Sequence, residues 1–155
     1  MTHEMRIERM LDAPAELVFD TMLDPAFKDE IYTDLVEGWS ARRFEVDLRV
    51  GGTWRTEFGP RDSDGEEIGV VTNVFTAIDR PRRLAYDTSM YVSAWGRTVD
   101  WVEEITFEEH DGKTLLTVRA EFETQADRDE FQGGTPDYLD ALQRVVERRA
   151  REGAR

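Results

Sequence analysis

An Asp-Gly pair set between two stretches of strict alternation constrains this chain more than any other feature. Residues 101–110 read WVEEITFEEH and residues 113–122 read KTLLTVRAEF, with Asp111-Gly112 between them. Apolar side chains at every second position have the period of a strand with one buried face, and a two-residue Asp-Gly link supplies the positive φ angles of a type I′ hairpin turn. Such a turn fixes the register. Phe107 then faces Leu116, Ile105 faces Val118 and Trp101 faces Phe122, all on one side. The other side pairs Glu104 with Arg119 and Thr106 with Thr117, a polar surface. Glu103 is the exception: it falls on the apolar side opposite Ala120, where an unpaired dry carboxylate is costly.

A hairpin with an apolar face needs a cover. Thr135-Pro136-Asp137 reads as a helix start, with an N-cap, a first-position proline and an acid in the first turn. Tyr138, Leu139, Leu142, Val145 and Val146 follow at helical spacing. Gly133-Gly134 is predicted to end a shorter helical piece holding Ala126 to Phe131. Near the N-terminus, residues 5–12 read as a strand, and LDAPAELVFDTMLDPAFKDEI as two short helices with Pro14 and Pro25 at first helical positions and Asp24 as an N-cap. Leu17, Val18 and Met22 lie on one stripe of the first. From about residue 41 to 123 the punctuation is that of an antiparallel meander: Gly51-Gly52, Asp64-Gly65, Arg80-Pro81 and Asp111-Gly112 separate the strands. In FEVDLRVGGTWRTEF the glycine pair predicts a tight, bulged connection that bends the sheet. The sum is a single α+β domain over 1–155: a curved antiparallel sheet wrapped around a long C-terminal helix, with two short helices after the first strand.

Composition removes several functions. No cysteine is present, which excludes thiolate chemistry and Cys-ligated metals. His3 and His110 are the only histidines, too few and too peripheral for a Ser-His-Asp triad or a His-ligated metal. No metal or other cofactor is therefore expected. DGKT at 111–114 ends like a phosphate loop, but Phe107 stands where the motif needs its first glycine. RDSDGEE resembles the start of a calcium loop at Asp62 and Asp64, yet Glu67 occupies the glycine position. The formal charge of -14 repels nucleic acid and anionic lipid. Lys28 and Lys113 are the only lysines; every other basic residue except histidine is arginine. Without a leader-like start or a long apolar run, the expectation is a cytoplasmic protein with no membrane span.

Aromatic side chains remain. Phe19, Trp54, Phe58, Tyr86, Tyr91, Trp95, Trp101 and Phe131 either fill an ordinary core or line a pocket, in which Glu103, Asn73 and Tyr138 supply the polar groups.

Four strings in this order, APAELVF at 13–19, DLRVGGTWR at 47–55, DRPRRL at 79–84 and GKTLLTV at 112–118, together with the helix bearing LDAL, resemble the START-like helix-grip (SRPBCC) superfamily and, within it, the group of the activator of Hsp90 ATPase homologues. The chain departs from that pattern at Gly134-Thr135-Pro136, where members often carry Gly followed by Trp or Met, and at Ala77, where an acidic residue is usual. The resemblance implies a helix-grip fold and leaves three functions open. The first is binding of a small hydrophobic or amphipathic molecule between sheet and helix, with Trp54, Phe58, Tyr86, Trp101, Glu103, Phe122, Tyr138 and Leu142 as lining residues. The second is a co-chaperone-like module with a protein partner. The third is a polyketide cyclase or aromatase type of enzyme using Glu103 and Tyr138. Binding ranks first and no catalytic residue is assigned; the chain is expected as a monomer or homodimer.

Overall fold

The hairpin at Asp111-Gly112 is the frame on which the rest is hung. In the structure, a computed structural model that describes residues 2–35, 38–61 and 68–153, strands β6 (Arg97–His110) and β7 (Lys113–Phe122) pair in the register expected, including Glu103 with Ala120 and Glu104 with Arg119. Asp111 and Gly112 both have positive φ, 54° and 80°, as a type I′ turn requires. Glu104, however, forms its ion pair with Arg83 of the neighbouring strand at 2.7 Å rather than with the facing Arg119.

The sheet is built outward from that pair. Strand β1 (His3–Leu11) lies antiparallel to β7, and β5 (Arg83–Val92), β4 (Gly69–Asp79), β3 (Thr53–Pro60) and β2 (Trp39–Val46) follow β6 in turn. The seven strands run in the order β1-β7-β6-β5-β4-β3-β2, all antiparallel. Asp64-Gly65 and the calcium-loop-like segment fall outside the described residues.

Gly51-Gly52 answers to two separate demands. Gly51 has φ 86°, and a Cβ at Gly52 would collide with the carbonyl oxygen of Asp47. The glycines also pair with β4: Gly51 N–H donates to Phe75 O at 2.8 Å, and Phe75 N–H to Gly52 O at 3.0 Å. Beside this contact the β4–β5 register shifts between Phe75 and Ala77, so the sheet bends where side chains are least in the way.

Helices α1 (Ala15–Met22) and α2 (Pro25–Leu35) connect β1 to β2. Pro25 opens α2 as expected, and the Asp24 carboxylate accepts from Ala26 N–H at 3.0 Å. Pro14 differs from the expectation: it is the N-cap of α1, with φ -69° and ψ 151°, and its carbonyl accepts the first helical bonds. The larger departure is at the C-terminus. Helix α3 runs unbroken from Gln125 to Gly153, so Gly133-Gly134 ends nothing and Pro136 lies inside the helix. Thr124 is the real cap, its hydroxyl accepting from Asp127 N–H at 3.1 Å. The cap-like Thr135-Pro136-Asp137 is overridden because Phe131, packed on Trp101 and Phe122, anchors the preceding turns to the sheet.

The core lies between the sheet and the helices. Leu139, Ala141, Leu142, Val145 and Val146 of α3 are buried, and meet Met5, Leu84, Ile105, Phe107, Leu116, Val118 and Phe122 from the strands and Val18, Phe19, Met22 and Phe27 from α1 and α2. Among the described residues no helix is long and apolar enough to cross a membrane.

Candidate functional site

A lysine inside this core is the feature that most needs an explanation. Lys28 is only 4 % exposed. It follows the buried Phe27 on α2, whose inward side carries it between the sheet and α3. Its ammonium lies 4.7 Å from the ring centre of Trp54 on β3 and 4.7 Å from that of Tyr138 on α3, so the amine is held between two aromatic faces. Lys28 Nζ also donates a hydrogen bond to the Tyr138 hydroxyl.

Glu103 is the facing charge. Its place on the inner side of β6 is dictated by the hairpin register, and the small Ala120 opposite leaves room for it. The Tyr86 hydroxyl, from β5 directly across the pairing, donates to Glu103 Oε2, and Trp101 Nε1–H approaches Oε1 at 3.4 Å. The carboxylate that looked unpaired in the sequence is thus shared by a phenol, an indole and the field of Lys28.

Burial sets the protonation of this cluster. Loss of water pulls Lys28 down from its ordinary 10.5 to about 7, against the opposing pull of the Glu103 charge. Loss of water likewise raises Glu103, while its bonds from Tyr86 and Trp101 and the charge of Lys28 act the other way. Burial pushes Tyr86 and Tyr138 well above the usual phenol range, reinforced by the Glu103 carboxylate at Tyr86 and by Tyr32 and Glu103 at Tyr138, so both keep their protons at neutral pH. Among the described residues of this cluster two donors are left over. Trp54 Nε1–H is buried without a partner, and the Tyr138 hydroxyl, having accepted from Lys28, keeps its own proton to give.

The residues anticipated from sequence do not all come together. Trp54, Glu103 and Tyr138 surround Lys28, and Tyr86 is bound to Glu103. Trp101 and Phe122 form an adjoining aromatic group with Phe131, their centroids 4.4 to 5.3 Å apart, and Trp101 joins it to Glu103. Leu142 is fully buried in the α3 core. Phe58 stands apart, stacked on Tyr32 at 4.6 Å and beside Trp39 at 5.8 Å, over the close approach of Gly69. Asn73 accepts from the Thr88 hydroxyl at 2.7 Å, a buried polar bond between β4 and β5. Lys28 was missed by sequence reasoning; its one signal is scarcity, a lysine where the chain otherwise uses arginine.

Side chains pack closely around the cluster. Trp54 stacks on Phe75 at 6.1 Å and meets the edge of Tyr86 at 5.5 Å. A concavity of about 320 Å³ lies along β5, β6 and β7 and includes Tyr86 and Glu103 in its lining, one of about 830 Å³ lies near the β4–β5 and β6–β7 turns, and one of about 380 Å³ lies between the start of β6 and the start of α3; Lys28 lines none of them. Glu103, Trp101, Phe131 and Tyr138 are only half-buried and form the border between the cluster and solvent. Among the described residues no group of three or more His, Asp or Glu side chains could hold a metal ion.

This architecture has many solved counterparts. A structure of an uncharacterized protein from Rhizobium leguminosarum shares 26% identity with a TM-score of 0.74, over 96% of each chain. A protein from Chromobacterium violaceum shares 24% identity with a TM-score of 0.75, over 93% of this chain and 96% of its own. The solution structure of an AHSA1-like protein from Aeromonas hydrophila shares 22% identity with a TM-score of 0.75, over 94% and 92%. No functionally curated protein matches the chain. Residues 12–147 match the family described as Activator of Hsp90 ATPase homolog 1-like protein, a span from the end of β1 through most of α3 that holds every residue of the Lys28 cluster, and the chain belongs to that family.

Proposed function

We propose that this chain binds a small amphipathic molecule between the sheet and α3, with its polar end at the Lys28, Glu103 and Tyr138 cluster and its apolar part against Trp54, Trp101 and Phe122. The observation that carries this reading is the pair of unspent donors, Trp54 Nε1–H and the Tyr138 hydroxyl, beside the buried Lys28 amine. A buried donor without a partner costs about 1–3 kcal/mol, a cost that a ligand oxygen would remove. Entry would occur at the half-buried border, where Phe131 and Trp101 yield to the ligand's apolar part.

Titration of the protein with aromatic and acyl compounds, followed by tryptophan fluorescence, tests this. Saturable change is expected, because Trp54 and Trp101 both border the site. Glu103→Gln is expected to weaken ligands that donate a hydrogen bond by roughly tenfold while shifting the melting temperature little. A second reading, a protein-interaction module of the kind the family name describes, is favoured by Leu48 and Val50, which are 45 % and 62 % exposed on the loop between β2 and β3. Absence of saturable binding, given how closely the interior is packed, would decide for that second reading.

A further inference from the structure

We propose that Lys28 is a covalent attachment point for carbonyl ligands: its amine, held between the Trp54 and Tyr138 rings and facing Glu103, condenses reversibly with an aldehyde or ketone to an imine. This rests on the binding site proposed above and names the chemical class of its ligand.

The geometry supplies each part of the reaction. The amine lies between two rings, so a conjugated or aromatic carbonyl compound that enters past Phe131 and Trp101 would reach it by stacking on Trp54 or Tyr138. Tyr138 hydroxyl and Trp54 N–H are the unspent donors available to a carbonyl oxygen. Glu103 is the one carboxylate in the cluster, and its Tyr86 bond holds it in place.

The step balances without any further reagent. The nitrogen lone pair forms a bond to the carbonyl carbon while the carbonyl π pair moves onto oxygen. Glu103 takes the proton lost by nitrogen, and the oxygen gains one from Tyr138, which is restored from the carboxyl. Glu103 then takes the remaining N–H proton and returns it through Tyr138 to that oxygen, so that the C–O bond breaks and water leaves as the nitrogen pair forms the C=N bond. Amine plus carbonyl gives imine plus one water, with nothing oxidised or reduced. Burial favours the neutral, nucleophilic amine near pH 7 and favours a Glu103 that can carry the proton. The titratable groups facing Lys28 are Glu103 from β6 and Tyr138 from α3, with Tyr86 of β5 bound to Glu103 and Tyr32 on the Lys28 helix close to Tyr138.

The chain suits a direct test, because Lys113, which is exposed, and the N-terminus are the only competing amines. The full chain is incubated with cinnamaldehyde and sodium cyanoborohydride, with cinnamyl alcohol as the non-condensing match, and labelling is located by peptide mass mapping. The expected result is one saturable adduct at Lys28, formed at least about tenfold faster than at Lys113, lost in Lys28→Met and slowed on the order of a hundredfold in Glu103→Gln. Because Lys28 and Lys113 are compared within the same wild-type molecule, the result does not depend on the variants folding. Saturable quenching of tryptophan fluorescence by both compounds without a Lys28 adduct would overturn the imine and leave the binding site standing. Labelling confined to Lys113 and the N-terminus, with no saturable quenching by either compound, would overturn both.

Discussion

A lysine drawn down to about 7 ties stability to pH, and the sign follows from which state holds the proton. Between about 7 and 10.5 the unfolded chain keeps Lys28 protonated while the folded chain does not, so stability rises with pH across that window and the contribution is lost as pH falls toward 7. Glu103 is raised rather than lowered, so its contribution is present below its ordinary 4.5 and is lost as pH rises through its folded value. At neutral pH both groups therefore weaken the fold. Replacing the pair by Lys28→Met and Glu103→Gln together is expected to stabilise the protein by about 1–4 kcal/mol at neutral pH and to flatten the rise in stability on the alkaline side, measured by denaturant unfolding across pH. The two residues were not equally legible in the sequence. Glu103 could be placed on the inner face because the Asp111-Gly112 turn fixes β6 against β7 residue by residue. Lys28 could not, because nothing in a sequence sets the rotation of a short helix such as α2 against a sheet that forms later in the chain. Tyr138 was found through helical spacing, but its contact with Lys28 joins two helices more than a hundred residues apart.

At the level of elements, local signals succeeded where the backbone demanded a particular residue and failed where packing overrode them. The β2–β3 connection is of the first kind. Gly52→Ala is expected to destabilise by roughly 2–4 kcal/mol, measured by chemical denaturation, because its Cβ would meet the Asp47 carbonyl and the chain could relieve this only by breaking the Phe75 pairing. Helix α3 is of the second kind. Its Thr-Pro-Asp triplet carries the markings of a helix start, yet Phe131 packs on Trp101 and Phe122 one turn earlier and the helix passes through Pro136. Glu104 and Arg119 face each other as the hairpin register requires, yet register alone does not choose the ion pair, and Arg83 on the next strand reaches the same carboxylate.

For the whole molecule, the surplus of acidic residues is partly tied up in arginine pairs. Arg80 reaches Glu16 and Asp20 of α1 from the β4–β5 turn at 2.9 and 2.6 Å, and Arg148 and Arg149 of α3 reach Glu30 and Asp24 beside α2 at 2.8 and 3.0 Å. These pairs are exposed or partly exposed and each contributes little. With a formal charge of -14, mutual repulsion is the larger electrostatic effect, so moderate salt is expected to raise the melting temperature even as it screens the individual pairs. A melting temperature that falls steadily with added sodium chloride would show the pairs to dominate instead.

The pairing of β1 with β7 also has a consequence for how the protein is made. On the ribosome, residues 3–11 emerge well before the strand that completes them, at 113–122. At about 5–20 residues per second, that first strand waits seconds for its partner while the meander between them assembles. The apolar side of the growing sheet waits longer still, for a helix that ends at Gly153. During that interval a nascent chain presents an uncovered sheet with an open edge, so a holding chaperone, or a rate of translation matched to the hairpin, would govern yield more than the stability of the finished protein does.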